Sequence, residues 1–407
     1  MRVLAVTTRS PYPLHEGRAL RTFNILREIA RRHEVHLCTF LQAQEEVDGL
    51  DEMRAFCADV YAEPLYLEHP RRELAVDLVR DLVSPTPMLA AKYRRASMMR
   101  KASEWLATRN FDVLHLDMLH LGEFVPLALR QPVVLVEHNV EAVIIERRIE
   151  TTGNPLVRAF LRRQHAKLLR YERRICESVD EVVTVSELDA EQLRQLAPRG
   201  SYTPVPNGVD SSYFSSKAGE RKPGALVYVG GLNWFPNLDA IRYFVAQILP
   251  LIAQRVPEVS LTVVGKLPGD SIAAEFAHLP NVRLTGTVDD VRPYIDAASA
   301  YVVPLRIGGG TRLKILDALS MQQALVSTSV GCEGLDLVRG EHLEVADDPQ
   351  SFADAVVNVL SNPQFAARLG AQGRERVCSH YDWPSIAQRH EAVYARAIEK
   401  RRAGNRN

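Results

Sequence analysis

Short β-branched segments alternate with stretches of helical periodicity along the chain, and this alternation restricts the possible folds more than any other feature. In the first half, the predicted helices include ALRTFNILREIARR and ELDAEQLRQLA, and the predicted strands are RVLAVTT, EVHLCTF, FDVLHLD, PVVLVEHN and EVVTVS. Strands of this kind separated by helices are typical of βα units with a parallel sheet. The first half is therefore expected to form a doubly wound α/β domain.

The same alternation begins again after a polar, glycine-containing stretch near residues 211–224, with the predicted strands ALVYVGG, SLTVVG, NVRLTG, AYVVPL and ALVSTS. A chain of 407 residues is long enough for two such domains. We predict one Rossmann-like domain over residues 1–208 and another over 209–384, with a helix at about 385–403 packing on the first. Two doubly wound domains that face one another leave a central cleft as the expected ligand site.

Charge and cysteine content exclude several classes of function. Fifty basic and fifty acidic residues cancel, so no global field attracts nucleic acid, and an anionic partner needs a local site. The five cysteines are scattered without a CxxC motif, which is typical of reduced thiols rather than disulfides or a zinc site. The first apolar segment is too short for a signal peptide, and no window reaches the length of a membrane span. We expect a cytoplasmic protein.

The segment RIGGGTRLKILDALS, residues 306–320, places cations where a helix disfavours them. Arg312 and Lys314 fall in the predicted first turn, where the helix dipole costs each cation roughly 0.3–1 kcal/mol. A bound phosphate reverses this sign, because glycine N–H groups and the helix N-terminus favour an anion and both side chains add donors. Asp317, one turn further, is placed to accept ribose hydroxyls. A glycine loop with solvent-exposed cations is the alternative, and the pattern is not a Walker loop.

Taken in order, the motifs resemble the family 4 retaining glycosyltransferases with the GT-B fold. The second half carries VYVGGLNWFPN, VRLTGTVDDVRPYIDAA, YVVPLRIGGGTRLKILDAL and VSTSVGCEGL, and the first half carries PYPLHEGRALRTFNI, FDVLHLD, VVLVEHNVE and VPNGVD. The similarity covers nearly the whole chain, and the GGGTRxK loop resembles that of bacterial exopolysaccharide and lipopolysaccharide sugar transferases. The resemblance implies two Rossmann-like domains facing a central cleft, with the nucleotide sugar on the second.

Two departures from the family pattern affect the predicted site. The family's two glutamates, eight residues apart, fall on Gly309 and Asp317, so the first carboxylate is missing and the second is one methylene shorter. The family's phosphate-binding arginine and lysine fall near Gly231 and Asn237, and neither is basic. We therefore predict that Arg312 and Lys314 supply the missing positive charge.

The resemblance implies further site residues in the first domain. Gly17 would let the backbone approach the donor phosphate, although a turn glycine is the alternative. Arg18 and Arg21 would contact donor or acceptor, with surface arginines as the alternative. His138 would lie beside the reacting sugar. Asp117 ends a predicted strand and would bind an acceptor hydroxyl or cap a helix.

In the second domain, Thr287 and Val288 would bind the base through their backbone. Glu333 would touch the donor sugar or cap the next element. The full set predicted to bind the donor is Gly17, Gly231, Gly309, Gly310, Thr311, Asp317, Thr287, Val288 and Glu333.

These residues predict a retaining hexosyltransferase that moves a sugar from a nucleoside diphosphate to an acceptor hydroxyl in cell-surface polysaccharide or glycolipid synthesis. The catalytic residues would be His138, Arg312 and Lys314, with same-face attack in which the departing phosphate oxygen takes the acceptor proton. No metal or other cofactor is expected, because the cations replace the ion and a DxD pair is absent. The alternatives are an inactive nucleotide-sugar-binding scaffold and a GT-B sugar-nucleotide epimerase.

A basic run between residues 158 and 174 leaves two outcomes open. Helical spacing places Arg163, Lys167, Arg170 and Arg174 on one face and apolar residues on another. A solvated face is the commoner outcome, and binding to anionic lipid at the inner face of the cell membrane is the other. The expected partners are therefore a nucleotide sugar, a saccharide or lipid-linked acceptor and an anionic membrane, but not nucleic acid.

Overall fold

The computed structural model describes residues 1–14, 17–66, 70–128, 130–217, 221–307 and 313–404, which form two compact α/β units. Unit 1 contains Met1–Pro206 and the chain from Ile386 onward, and unit 2 contains Asn207–Ser385. In the described part of the chain, no helix is both long and apolar enough to cross a bilayer.

Unit 1 is built on a parallel sheet. Its strands are β1 (Arg2–Thr7), β2 (Glu34–Leu41), β3 (Asp59–Pro64), β4 (Val113–Asp117), β5 (Val133–Val136), β6 (Glu181–Thr184) and β7 (Tyr202–Pro204). They lie side by side in the order β3-β2-β1-β4-β5-β6-β7, and each neighbouring pair is parallel. The inner strands are buried almost throughout, as expected of a sheet covered by helices on both faces.

Helices cover this sheet. They are α1 (Gly17–Ala30), α2 (Gln44–Asp48), α3 (Leu50–Arg54), α4 (Pro70–Val83), α5 (Met88–Ala91), α6 (Ala96–Thr108), α7 (Glu141–Thr151), α8 (Pro155–Cys176) and α9 (Glu187–Leu196), with a 3₁₀ segment at Leu119–Leu127. One core cluster joins Leu4 and Val6 of β1 to Leu114 and Leu116 of β4. Alternate strand residues therefore build the core on one face of the sheet.

Unit 2 repeats this architecture on a second parallel sheet. Its strands are β8 (Lys222–Val229), β9 (Ser260–Val264), β10 (Val282–Leu284), β11 (Ala298–Val303), β12 (Leu325–Ser327) and β13 (Glu344–Val345). Their order is β10-β9-β8-β11-β12-β13, again with parallel neighbours. The predicted fold class, with two doubly wound Rossmann-like sheets, is confirmed.

The remaining helices include one that joins the two units. They are α10 (Phe235–Tyr243), α11 (Leu249–Ala253), α12 (Asp270–Phe276), α13 (Arg292–Asp296), α14 (Leu313–Ser320), α15 (Pro349–Ser361), α16 (Pro363–His380) and α17 (Trp383–Gly404). Helix α17 begins in unit 2 and continues into unit 1. A π-helical segment at Phe244–Ile248 separates α10 from α11. Pro250, at the start of α11, has no backbone N–H, so the regular hydrogen-bond ladder changes there.

Several helices begin with the same local signal. Asn154, Asp348 and Asn362 each accept a hydrogen bond from a backbone N–H of the helix that follows, and each is followed by proline. The polar side chain satisfies an N–H group that has no partner within the helix, and proline has the backbone angle that the first helical residue needs.

Candidate functional site

In both units the chain places polar residues where the strand order reverses. β1 lies between β2 and β4, and β8 lies between β9 and β11. In open parallel sheets, ligands bind outside the carboxyl ends of the strands at such a reversal. The ends of β1 and β4 in unit 1, and of β8 and β11 in unit 2, are therefore the expected sites.

The carboxyl end of β4 holds a buried aspartate–histidine pair. His138 Nε2 lies 2.8 Å from Asp117 Oδ1, and Thr22 Oγ1 donates to Asp117 Oδ2 at 3.0 Å. Burial alone would raise the pKa of Asp117, but the charge and hydrogen bond of His138, with nearby basic groups, lower it to about 2. Asp117 is thus ionised at neutral pH, and Nε2 of His138 is the donating nitrogen. The carboxylate holds the imidazole ring instead of capping a helix.

Arg18 and a strained methionine lie beside this pair. Arg18 Nη1 donates to Thr8 Oγ1 at 3.1 Å and lies 3.4 Å from Met118 Sδ. Met118 has φ 95° and ψ 147°, a conformation that is almost restricted to glycine. Such strain costs on the order of 1–3 kcal/mol and is concentrated at functional sites in proteins. Met118 therefore belongs to this edge of the sheet, and sequence reasoning missed it because a glycine would be expected.

Arg21 corrects one prediction. Its side chain is buried, and its guanidinium donates to the carbonyl oxygens of Val205 and Pro206 at 2.7 Å each. Burial lowers its pKa to about 10, although the charge of Asp117 opposes the shift. Because these bonds hold its guanidinium in the protein interior, Arg21 fastens the end of unit 1 and is not placed to bind an acceptor. Gly17, in contrast, is exposed as the first residue of α1.

In unit 2, Lys314 lies against the residues that follow β8. Its Nζ donates to Tyr228 Oη at 2.8 Å and to Asn237 Oδ1 at 3.1 Å, and lies 4.2 Å from the centre of the Tyr228 ring. Tyr228 Oη also donates to Asn237 Oδ1 at 2.6 Å, and Asn237 Nδ2 donates to the carbonyl of Gly231 at 2.8 Å. We call Lys314, Tyr228 and Asn237 the lysine cluster. It brings the ammonium group to the position where the family pattern places a lysine.

Glycines allow close packing at this corner of unit 2. A Cβ added at Gly230 would lie 2.5 Å from Lys314 Nζ. A Cβ added at Gly265 would lie 2.6 Å from the backbone of Gly230, and Gly265 has φ 145°. The carboxyl ends of β8 and β9 therefore approach one another as closely as only glycine permits. A side chain at Gly230 or Gly265 would therefore displace Lys314 or push the two strands apart.

Asp317 lies one helical turn beyond Lys314 and is half-buried. Desolvation raises the pKa of its carboxyl to about 8, although the charge of Lys314 opposes the shift. Desolvation raises the pKa of the buried Tyr301, and the charge of Asp317 raises it further. At neutral pH the Asp317 carboxyl is therefore largely protonated and can both donate and accept a hydrogen bond.

The remaining predicted donor residues lie on loops. Thr287 is exposed and Val288 is half-buried in the loop after β10, and Glu333 is exposed after β12. Gly309, Gly310, Thr311 and Arg312 lie outside the described residues. Across the described ranges, no group of three His, Cys, Asp or Glu side chains is arranged to hold a metal ion.

Comparison with known proteins agrees with this geometry. Residues 17–213 match the family model described as "Glycosyltransferase Family 4", and residues 223–362 match the model described as "Glycosyl transferases group 1". The two matches together cover most of the chain. The protein belongs to glycosyltransferase family 4.

Relatives of this glycosyltransferase include named mannosyltransferases. It is 27% identical to a phosphatidyl-myo-inositol mannosyltransferase of Mycobacterium tuberculosis over 307 residues, 72% of this chain and 76% of that protein. It is 24% identical to the MMP alpha-(1->4)-mannosyltransferase of Mycolicibacterium hassiacum over 408 residues, 94% of this chain and 95% of that protein.

Solved structures show that this glycosyltransferase has the GT-B fold. Sucrose-phosphate synthase of Thermosynechococcus elongatus superposes with a TM-score of 0.68 at 16% identity, covering 98% of this chain and all of that one. Anabaena HepE in complex with UDP superposes with a TM-score of 0.69 at 13% identity, covering 97% of this chain and all of that one.

Proposed function

We propose that this glycosyltransferase transfers a hexose, with retention and without a metal ion, from a nucleoside-diphosphate sugar to an acceptor hydroxyl in polysaccharide or glycolipid synthesis. The observation that carries the proposal is the position of Lys314. Its ammonium group lies at the carboxyl end of β8, 3.1 Å from Asn237 Oδ1. Cationic side chains and glycine backbone at a strand-order reversal suit a diphosphate.

The lysine cluster would act on the leaving group. As the bond from the sugar to the diphosphate breaks, negative charge develops on the phosphate oxygens. An ammonium group held in advance by Tyr228 and Asn237 stabilises this charge without reorganisation at the moment of reaction. Arg312, from the adjoining segment, would add a second cation. The acceptor would attack the face that the diphosphate leaves, and a phosphate oxygen would take the acceptor proton.

Asp317 and His138 are each candidates for contacts with the donor. The protonated Asp317 carboxyl suits vicinal ribose hydroxyls, because it donates to one and accepts from the other. Asp117 accepts the Nε2 proton of His138 and so leaves Nδ1 for a hydroxyl of the transferred sugar. Thr287, Val288 and Glu333 stay candidates for base and sugar contacts, and Asp117 and Arg18 for the acceptor side.

The relatives support the choice of sugar and acceptor class. The named mannosyltransferases favour a hexose donor, and the name phosphatidyl-myo-inositol mannosyltransferase favours a glycolipid product. HepE has been solved with UDP, so UDP-sugars belong in the same screen. We propose a cytoplasmic location, which the five unpaired cysteines support.

The proposal is tested by measuring nucleoside diphosphate release from GDP- and UDP-hexoses, with and without a membrane extract as acceptor and in the presence of EDTA. We expect release that depends on the acceptor, persists in EDTA and yields a product with the anomeric configuration of the donor by NMR. Binding without turnover of any sugar would identify a scaffold instead. Isomerisation of the sugar nucleotide without acceptor would identify an epimerase.

A further inference from the structure

Helix α4 has the reverse of the usual amphipathic arrangement. Its acidic residues Glu73, Asp77 and Asp81 recur every fourth position and face the protein, with Asp77 5% and Asp81 2% exposed. Its apolar residues face solvent, with Leu78 42% and Val79 66% exposed. A surface helix of a globular protein normally buries its apolar face. The sequence of α4 therefore fits a helix whose outer face contacts something other than water.

Specific polar bonds fix this reversed orientation. Asp77 Oδ2 accepts from Tyr66 Oη at 2.7 Å, and Arg95 lies 3.2 Å from Glu73 Oε2. Asp81 Oδ1 accepts from Lys167 Nζ at 2.9 Å, with both side chains buried. If α4 rotated to bury its leucines, these carboxylates and their cations would lose their partners. The exposed apolar face is therefore held outward by the structure.

The first turns of α8 extend the same kind of surface. Leu156 is 80% exposed, and Val157 and Phe160 are also exposed, whereas α8 is packed into unit 1 from Leu161 onward. The two helices meet where Asp81 binds Gln164 and Lys167 of α8. The apolar side chains of α4 and α8 lie within three helical turns of this meeting point. We call the outer face of α4 with the first turns of α8 the α4–α8 surface.

Arginines surround these apolar side chains. Arg71, Arg72 and Arg80 of α4 and Arg162 of α8 are exposed. Within the basic run of α8, Lys167 is buried against Asp81 and Arg163 donates to the Asp81 carbonyl, so the run is not one continuous solvated face. Exposed arginines lie near the start of α8 and along α4, and Arg170 and Arg174 are exposed further along α8.

We propose that the α4–α8 surface binds the surface of an anionic phospholipid bilayer. Apolar side chains at the centre would enter the boundary between headgroups and acyl chains, and the arginines would reach the phosphates around them. A second copy of the chain fits less well. A two-fold contact brings the same surface onto itself and would set the arginines of one copy against those of the other. An anionic bilayer matches both the apolar centre and the positive border.

The test is co-sedimentation of the full chain with sonicated vesicles of phosphatidylcholine, with and without 30% phosphatidylglycerol (a chosen composition). The variant is Leu156→Asp, and the matched control is Leu188→Asp. Leu156 and Leu188 are both exposed leucines and the second residues of their helices, α8 and α9. An aspartate is tolerated equally well in either first turn. Circular dichroism and the melting temperature confirm that both variants fold.

We expect the parent to bind anionic vesicles and to be released as salt increases. Leu156→Asp should weaken binding about tenfold or more, as should Leu78→Asp, and Leu188→Asp should bind like the parent. Arg71→Gln should weaken binding roughly fivefold, which corresponds to about 1 kcal/mol per basic residue near an anionic surface. The proposal is overturned if the parent ignores vesicles at low salt or if Leu156→Asp and Leu188→Asp bind equally. It is also overturned if the parent is a dimer that does not bind vesicles and Leu156→Asp dissociates this dimer.

Discussion

Lys314 and Asn237 are 77 positions apart in the sequence, and the lysine cluster brings them within hydrogen-bonding distance. The family pattern has basic residues near Gly231 and Asn237, and from their absence the sequence predicts that Arg312 and Lys314 supply the positive charge. It cannot identify Tyr228, which lies in a strand and has the appearance of a core residue. In the structure the Tyr228 ring and hydroxyl hold the ammonium in place.

Replacing Lys314 with methionine should weaken binding of the nucleoside diphosphate. Hydrogen bonds that involve a charged group contribute about 1.5–3 kcal/mol, so the Kd for UDP or GDP should rise about 10- to 100-fold. Isothermal titration calorimetry measures this effect. Lys222→Met, at the opposite end of β8 and exposed, is the control and should bind like the parent.

A second substitution separates charge from position. If Lys314 replaces a lysine lost at 237, Asn237→Lys added to Lys314→Met should recover part of the lost affinity. Unchanged binding by Lys314→Met alone would mean that the phosphate assignment is wrong, and a loss without recovery would mean that a cation at position 237 does not reach the phosphate.

Asp317 should make the stability of unit 2 depend on pH. Its folded pKa is raised to about 8, against about 4 for an unfolded aspartate. Between these values the folded chain binds more protons than the unfolded chain, so the free energy of unfolding falls as pH rises from about 4 to 8. Asp317→Asn should reduce this fall, and urea unfolding at pH 5 and pH 8 measures it. The exposed Asp51→Asn should leave the pH dependence unchanged, and an identical dependence in Asp317→Asn would contradict the assignment.

Other residue-level predictions show the limits of a single sequence. Strand-end positions indicate Asp117 and His138 separately, and the structure joins them through one hydrogen bond. Arg21 has the appearance of a surface arginine at a helix start, because nothing local reveals that its carbonyl partners lie at Val205 and Pro206. Long-range partners of this kind are set by the tertiary fold.

At the scale of elements, α4 shows why amphipathic periodicity is an incomplete guide. The pattern PRRELAVDLVRDLV has acidic and apolar positions at helical spacing, and the usual rule would bury the leucines. The structure buries the carboxylates, because Tyr66, Arg95 and Lys167 are positioned to bind them. Periodicity predicts that two faces exist, and the partners decide which face is inside.

Lys167→Met should destabilise unit 1 by about 3–5 kcal/mol, since it leaves the buried carboxylate of Asp81 without its cation. Arg170→Met, an exposed arginine on the same helix, should change stability by less than about 0.5 kcal/mol. Urea unfolding followed by circular dichroism compares the two. Equal effects would mean that Lys167 lies on a solvated face, as the sequence suggests, and is not buried against Asp81.

Most strands were predicted from the sequence, and the missed strands β3, β7 and β13 all lie at sheet edges. β1 and β4 lie within the predicted segments, and β2 and β8 extend beyond theirs. β7 and β13, at the edges of their sheets, have three and two residues, too few to show a periodicity. The break between α10 and α11 also escaped prediction, because one proline inside an apolar helical pattern does not reveal where the ladder changes.

At the scale of the whole molecule, α17 completes unit 1. His390 and Tyr394 are buried, and Tyr394 Oη lies 2.6 Å from His115 Nδ1 of β4. Glu391 pairs with Arg32 at 2.8 Å, and Arg396 donates to Thr203 Oγ1 at 3.0 Å. The last helix therefore covers side chains that come from the first half of the chain.

A chain that ends after Ser385 should lose the stability of unit 1 while unit 2 stays folded. Removing the buried residues of α17 exposes apolar surface and leaves His115 without its partner. Hydrogen exchange followed by mass spectrometry should show faster exchange in β1, β4 and β5 and unchanged protection in β8, β9 and β11. Equal loss of protection in both units would show that they do not unfold separately.

The path of α17 also sets an order of events on the ribosome. Residues 1–206 leave the exit tunnel before Asn207–Ser385, and the helix that closes their core leaves it afterwards. Unit 2 is one uninterrupted segment and can fold while translation continues. Unit 1 is thus begun before unit 2 but completed after it, and until α17 has emerged it is the unit more exposed to proteases and more in need of chaperones.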